Sequence, residues 1–167
     1  MRGKKNIVKV ETPSVEIPMR DVIIPMYKDV LTDILKHDHV HYVFSGGRGS
    51  TKSSFISEAI PLLMIQNPNV HAVVFRKVGN TMKNSVWSQV VWGINQLGLA
   101  PLFKIPKSIA NPIVLTQTGQ QILFFGLDDP QKIKSVKLPF GYIGITWFNL
   151  KNSDHAKLLE FGETPNR

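Results

Sequence analysis

The passage from residue 40 to residue 63 constrains the fold more than any other part of the sequence. Val40, His41, Tyr42, Val43 and Phe44 form a nearly continuous β-prone run that stops at Ser45, Gly46, Gly47, Arg48 and Gly49. Beyond the glycines, Phe55, Ile56, Ala59, Ile60 and Leu63 fall at helical spacing. A run with so little polar alternation predicts a strand buried on both faces, and such a strand entering a glycine loop that opens a helix is the repeating unit of an α/β sheet. Pro61 removes one backbone donor from that helix and predicts a kink or the end of its regular part.

The rest of the chain continues the alternation. Tyr27, Val30, Leu31, Ile34 and Leu35 mark one face of a short helix ahead of the first strand. Residues 70–75 read as a second interior strand. Met82, Val86, Val90, Ile94 and Leu97 then predict the clearest helix, with Gly98 as its stop. Residues 112–116 and 120–125 flank Gln117, Thr118 and Gly119, which predicts a hairpin, and residues 142–148 read as a last buried strand. The order strand, helix, strand, helix, hairpin, strand predicts a mostly parallel sheet with helices on its faces. Residues 1–26 carry Arg2, Lys4, Lys5 and Lys9, with Pro13, Pro18 and Pro25 too close together for a long helix, and read as an extended basic arm.

A chain of 167 residues makes one domain. No apolar run approaches the ~20 residues of a membrane span, and the first residues lack the apolar core of a signal peptide, so a cytosolic protein is expected. The absence of cysteine excludes disulfides, thiolate zinc sites and a cysteine nucleophile. A net charge of +8 favours a polyanionic partner.

The glycine loop names a chemistry for that partner. A triphosphate needs converging backbone N–H groups, the positive end of a helix dipole, an ammonium group and a hydroxyl beside magnesium. Gly46, Gly47, Arg48, Gly49, Ser50, Thr51, Lys52 and Ser53 can supply all four, with Lys52 as the cation and Ser53 as the metal-side hydroxyl. Thr51 stands where the common Walker A pattern Gly-x-x-x-x-Gly-Lys-Ser/Thr has its second glycine. A dinucleotide loop is excluded because Lys52 would fill its third glycine slot. The plainer alternative is a glycine turn followed by a surface lysine.

The residues 42–54 just described, together with Val73, Val74, Phe75, Arg76, Lys77 and Val78 and the later Ser85, Val86 and Trp87, resemble the large subunit of tailed-phage terminases, in particular the PBSX-like group. Phe125, Gly126, Leu127, Asp128, Asp129, Pro130, Gln131, Lys132, Ile133, Lys134 and Ser135 are similar to a segment that this family carries shortly before its acidic strand. The resemblance covers residues 23–148 and implies an ASCE-type P-loop NTPase fold, here incomplete at its C-terminal side. It implies ATP and Mg2+ as cofactors, with residues 46–53 around the triphosphate, Ser53 on magnesium and Arg48 as the charge-stabilising arginine at the γ-phosphate; the alternative for Arg48 is a solvated side chain. The partners it implies are double-stranded viral DNA, a small terminase subunit and a portal protein, with a homo-oligomeric ring, in the host cytoplasm. Arg76, Lys77, Lys132 and Lys134 are candidate contacts to DNA or nucleotide, against the alternative of a solvated basic face or a surface ion pair.

Where the family's strand continues into acidic residues, this sequence reads Trp147, Phe148, Asn149, Leu150. Asn149 can accept a hydrogen bond from a magnesium-bound water but cannot act as a general base, and Leu150 can do neither. Nucleotide binding with slow or absent turnover is therefore expected. Residues 151–167 depart from the family and read as a divergent tail, which suggests a truncated or frame-shifted gene or a fragment. The domain reading is thus an arm over 1–26, a partial ATPase domain over 27–150, the tail, and no nuclease domain. An exposed sheet edge is the expected consequence. The rival functions are a non-catalytic nucleotide- or DNA-binding remnant and an unrelated P-loop kinase. Alternating His37, His39 and His41 suggest zinc less readily than the face of an edge strand, and Trp87, Trp92 and Trp147 read as packing residues.

Overall fold

A computed structural model describes residues 23–47, 49–76, 81–128, 142–149 and 155–162. A 3-10 turn at Pro25–Tyr27 opens into α1 (Lys28–Lys36), which stops where His37 turns left-handed at φ 58° and its N–H bonds back to Ile34. There follow β1 (His41–Phe44), α2 (Lys52–Gln66), β2 (His71–Arg76), a π-helical turn at Lys83–Trp87 running into α3 (Ser88–Gln96), β3 (Phe103–Lys104), β4 (Ile113–Leu115), β5 (Gln121–Gly126), β6 (Tyr142–Asn149) and β7 (His155–Gly162).

The seven strands among the described residues form one sheet in the order β1-β7-β6-β2-β5-β4-β3. β2 pairs in parallel with both β5 and β6, whereas β7 is antiparallel to both of its neighbours, β1 and β6. Five strands, β1, β6, β2, β5 and β3, therefore run one way, and β4 and β7 run against them. The result is a mixed α/β architecture with a mostly parallel sheet flanked by helices. The expected hairpin is β4–β5, closed by the Leu115 N–H on the Gln120 carbonyl at 2.8 Å.

β7 comes from the segment that the sequence set apart as a tail, yet it lies within the sheet and joins β1 to everything else. Its place leaves β1 as an edge strand. The expectation that β1 is buried on both faces is corrected accordingly: Tyr42 is buried and Phe44 partly so, but His41 is exposed and Val43 is 68% exposed. Tyr27 and Phe55 pack their rings against Phe44, so the helices cover one face of this strand and leave Val43 on the other. β2, with neighbours on both sides, is buried from His71 to Val74, as its apolar run predicts.

α2 is the central helix. It packs on both α1 and α3, and for that reason it is buried from Phe55 through Met64 rather than along one stripe. It also runs past Pro61 to Gln66, which corrects the expectation that its regular part ends there. Pro61 brings no N–H to the carbonyl of Ser57, and that carbonyl faces Gly93 of α3. A Cβ built on Gly93 would lie 2.3 Å from the Ser57 oxygen and 2.5 Å from its carbonyl carbon. Glycine thus lets two helix backbones meet where proline has left a carbonyl bare. At the other end of α2, the buried amide of Gln120 donates to the carbonyls of Met64 at 3.0 Å and Asn67 at 2.8 Å, which ties the β4–β5 turn to the helix end. Among the tryptophans, Trp87 packs on the core with its indole N–H unpartnered, while Trp92 is 41% exposed.

Candidate functional site: the loop between β1 and α2

In open α/β sheets, ligands bind beyond the carboxyl ends of the parallel strands. Here those ends include β1, β6, β2 and β5, and four features of the sequence lie there: the glycine loop after Phe44, Asn149 closing β6, Arg76 closing β2, and Gly126 closing β5 with Leu127 and Asp128 after it. One rung of the sheet, Phe44, Lys157, Trp147, Arg76 and Gly126, runs across these strands just before or at those ends.

The loop has the backbone of a tight cradle. Gly46 sits at φ +144°, a conformation that L side chains rarely adopt, and a Cβ there would approach the Lys52 ammonium to 3.3 Å. Thr51, the residue in the slot of the second glycine, is left-handed at φ 57° and ψ 7° and caps α2. The backbone therefore takes at Thr51 a shape that glycine adopts without strain, although the side chain is β-branched. Lys52 opens α2 and is buried, 5% exposed. Its ammonium donates to the carbonyls of Gly46 at 2.6 Å and Gly47 at 3.1 Å, and to the hydroxyl of Ser50. The first free N–H groups of α2 and its positive dipole end lie at the same point. Ser53, partly buried, follows Lys52 in the first turn.

Tyr27 is a contributor that the sequence reading placed only in the core. Its ring stacks on Phe55 with centroids 4.4 Å apart, and its hydroxyl donates to the Ser50 carbonyl at 2.7 Å, so the turn before α1 clamps the loop. A tyrosine at a helical apolar position gives no sign of this, because the partner is a backbone oxygen 23 residues away.

The other predicted residues fall as follows. Arg76 donates through one guanidinium nitrogen to the Thr81 carbonyl at 2.9 Å and to the Ser85 hydroxyl, binding the end of β2 to the start of the following helix. It stands three strand spacings from β1, about 14 Å. Asn149 is the last residue of β6. Arg48, Lys77, Lys132 and Lys134 lie outside the described residues. Among the described residues no group of three His, Asp or Glu side chains could hold a metal ion. His39 instead pairs with Asp33 at 2.9 Å, and that hydrogen bond holds the Asp33 carboxyl below its ordinary range. An open hollow beside α1 and β1, lined by Asp29, Asp33, His39 and His41 among others, is separate from the loop. Two buried ionisable groups also lie away from it. Burial pushes the Glu58 carboxyl of α2 up to about 7, and burial pulls His71 down while its Nδ1 accepts the Gln121 N–H at 3.2 Å. Glu58 follows Lys52 by six residues, which turns it to another side of the helix.

Residues 38–157, from just before β1 into β7, match the family described as phage terminase large subunit. This chain belongs to that family. The match runs past Phe148, where the sequence resemblance stops, and takes in Asn149, Leu150 and the first residues of β7. The chain is 38% identical over 124 residues to the terminase large subunit of Bacillus phage SPP1, covering 73% of this chain and 28% of that protein. It is 31% identical over 104 residues to the PBSX phage terminase large subunit of Bacillus subtilis strain 168, covering 62% of this chain and 23% of that one. The chain thus spans about a quarter of the length of these terminases. No helix among the described residues is long and apolar enough to cross a membrane.

Proposed function

We propose that the loop at residues 46–53 binds the polyphosphate of ATP with Mg2+, in a P-loop NTPase domain that forms the ATP-binding part of a phage DNA-packaging motor. The observation that carries this reading is the buried Lys52 ammonium, held by Gly46, Gly47 and Ser50 at the N-terminus of α2 and at the carboxyl end of β1. Burying a lysine costs free energy unless its charge is met, and here three loop oxygens meet it. Phosphate oxygens are stronger acceptors than neutral carbonyls, so an entering triphosphate exchanges its oxygens for those of Gly46 and Gly47. The freed loop then turns toward the ligand. Ser53 supplies the hydroxyl at the metal, and Arg48 neutralises charge that develops at the γ-phosphate.

Turnover is slow in this reading. β6 ends at Asn149 and the next residue is Leu150, so neither position offers a carboxylate to hold magnesium or to activate water. Double-stranded viral DNA, a small terminase subunit and a portal protein are the partners the family implies, in a ring of subunits within the bacterial host. Lys77, Lys132 and Lys134 are assigned to the DNA phosphates, and Arg76 to fixing the end of β2.

A fluorescent ATP analogue titrated into the protein, followed by a phosphate-release assay, tests this. Saturable Mg2+-dependent binding, lost in Lys52→Ala, is expected, with release near background. Unchanged affinity in Lys52→Ala defeats the site assignment. Rapid release defeats the account of turnover, and transfer of phosphate to a small acceptor favours the kinase alternative.

A further inference from the structure

We propose that Tyr27 is a positioning residue for the polyphosphate: its hydroxyl holds the peptide between Ser50 and Thr51 so that the Thr51 N–H faces the ligand, and this lets threonine stand where a phosphate loop commonly has glycine. The inference rests on the phosphate-binding reading above and deepens it. The Ser50 carbonyl accepts two hydrogen bonds, one from the Tyr27 hydroxyl at 2.7 Å and one from the Thr51 hydroxyl at 2.7 Å. Tyr27 is itself fixed. Its side chain is buried, with the ring stacked on Phe55 and edge-on to Phe44. The carbonyl is therefore drawn toward the core beneath the loop. In a trans peptide the C=O and N–H point opposite ways, and no peptide among the described residues is cis, so the Thr51 N–H points away from the core. Thr51 also stands ahead of the hydrogen-bond ladder of α2, whose first bond runs from the Phe55 N–H to the Thr51 carbonyl at 3.0 Å. The ladder does not use the Thr51 N–H, and the positive end of the helix dipole lies beside it.

The pin matters because of the residue it acts on. At φ 57° and ψ 7° a threonine is strained where a glycine is not. Such strain persists only where the surroundings hold it. With the Tyr27 hydroxyl removed, the peptide can turn to relieve Thr51 and carry the N–H out of line, so the binding-competent fraction of the protein falls and the apparent affinity falls with it. Lys52 cannot do the same work. Its ammonium bonds to the carbonyls of Gly46 and Gly47 and to the Ser50 hydroxyl, and these are the contacts that an entering triphosphate exchanges for its own oxygens. The bond from Tyr27 is to the Ser50 carbonyl, a different oxygen, and survives that exchange.

The test is competition by ATP and by inorganic triphosphate against a fluorescent ATP analogue, in the full chain and in Tyr27→Phe, Thr51→Gly, the two combined, and Tyr42→Phe. Tyr27→Phe keeps both ring contacts and loses only the hydroxyl. Tyr42 is the control for losing a buried tyrosine hydroxyl elsewhere, since its own donates to the Asp33 carbonyl at 3.1 Å. The expected result is about fivefold weaker binding of both ligands in Tyr27→Phe, as for the loss of one hydrogen bond. The same change made in Thr51→Gly should cost no more than about twofold, because glycine takes the left-handed shape unaided, and Tyr42→Phe should bind as the parent does. In an amide NMR spectrum of protein labelled at threonine, the Thr51 signal, identified by its loss in Thr51→Gly, should move on saturation with triphosphate. If the unaltered protein binds neither ligand, the phosphate-binding reading itself has failed. If it binds, the role of Tyr27 is overturned and that reading stands when Tyr27→Phe binds equally well, when it costs the same factor with and without Thr51→Gly, when Tyr42→Phe loses as much, or when the Thr51 signal stays in place.

Discussion

Replacing Gly93 by alanine sets two physical effects against each other, and the geometry decides the sign. In the interior of a helix, Gly→Ala is favourable by about 1 kcal/mol, because glycine loses more backbone entropy on folding. At Gly93 the added Cβ would lie 2.3 Å from the Ser57 oxygen, 2.5 Å from its carbonyl carbon and 2.8 Å from its Cβ. Ordinary contact begins near 3.4 Å, so α2 and α3 must separate by about 1 Å at that point. The obstacle is backbone within a buried helix, and no side chain can swing aside. Overpacking of this kind costs roughly 1–3 kcal/mol, and the upper end applies where two helices must shift together. Net of the propensity gain, Gly93→Ala should destabilise by about 2 kcal/mol, which in a chain of this size lowers the melting temperature by ~4–8 °C. Urea denaturation followed by tryptophan fluorescence, with circular dichroism as a second probe, measures it. Gly47→Ala is the control, because nothing lies within 4 Å of its Cβ position, and its stability should be unchanged. A Gly93→Ala protein as stable as the parent, or more so, would show that α2 and α3 do not approach as described.

Two further substitutions probe the same helix from other directions. Glu58 binds its proton more tightly folded, with its carboxyl at about 7, than unfolded near 4.5. The native state therefore holds the extra proton between those values, and the contribution of Glu58 to stability is full below pH 4.5 and is lost as pH rises through 7. Glu58→Gln should raise stability at pH 8 by an amount of order 1–3 kcal/mol and leave it nearly unchanged at pH 4, in paired denaturation curves; an equal effect at both pH values refutes burial as the cause. Thr51→Gly removes a β-branched side chain from a left-handed position, worth roughly 1–2 kcal/mol, against a glycine entropy cost of ~0.5–1 kcal/mol. A melting temperature equal to the parent's or slightly higher is expected, with nucleotide binding retained, and a clear loss of either would mean that Thr51 does not hold that conformation.

Much of this was legible from letter order because the periods are clean. The helix beginning at Lys28, the interior strand after Asn69, the β4–β5 hairpin and the stop at Gly98 all follow from local spacing and turn chemistry. What escaped the sequence was set by partners far along the chain. Val43 reads as a core residue until the rings of Tyr27 and Phe55 are seen to cover only the opposite, Phe44 face of β1. Pro61 reads as a helix stop until Gly93 is seen to meet the carbonyl it leaves bare. Tyr27 reads as one more apolar residue until its hydroxyl finds Ser50. At the candidate site, the positive φ of Gly46 and the burial of Lys52 at the start of α2 belong to a local sequence pattern of glycines, lysine and helix onset. The pairing of Phe44 with β7 joins distant parts of the chain and leaves no local trace.

The position of β7 also orders events during synthesis. β1 leaves the ribosome early, but among the described strands it is hydrogen-bonded to the sheet through β7, so His41 must wait for Glu160 and Phe44 for Lys157. Until then the strand that carries the glycine loop has nothing to close against, while β2 and β5 can already zip together. Contacts between strands so far apart in the sequence are slow to form and leave a strand edge bare meanwhile. The strand that carries the glycine loop is therefore expected to join the sheet only after β7 has formed.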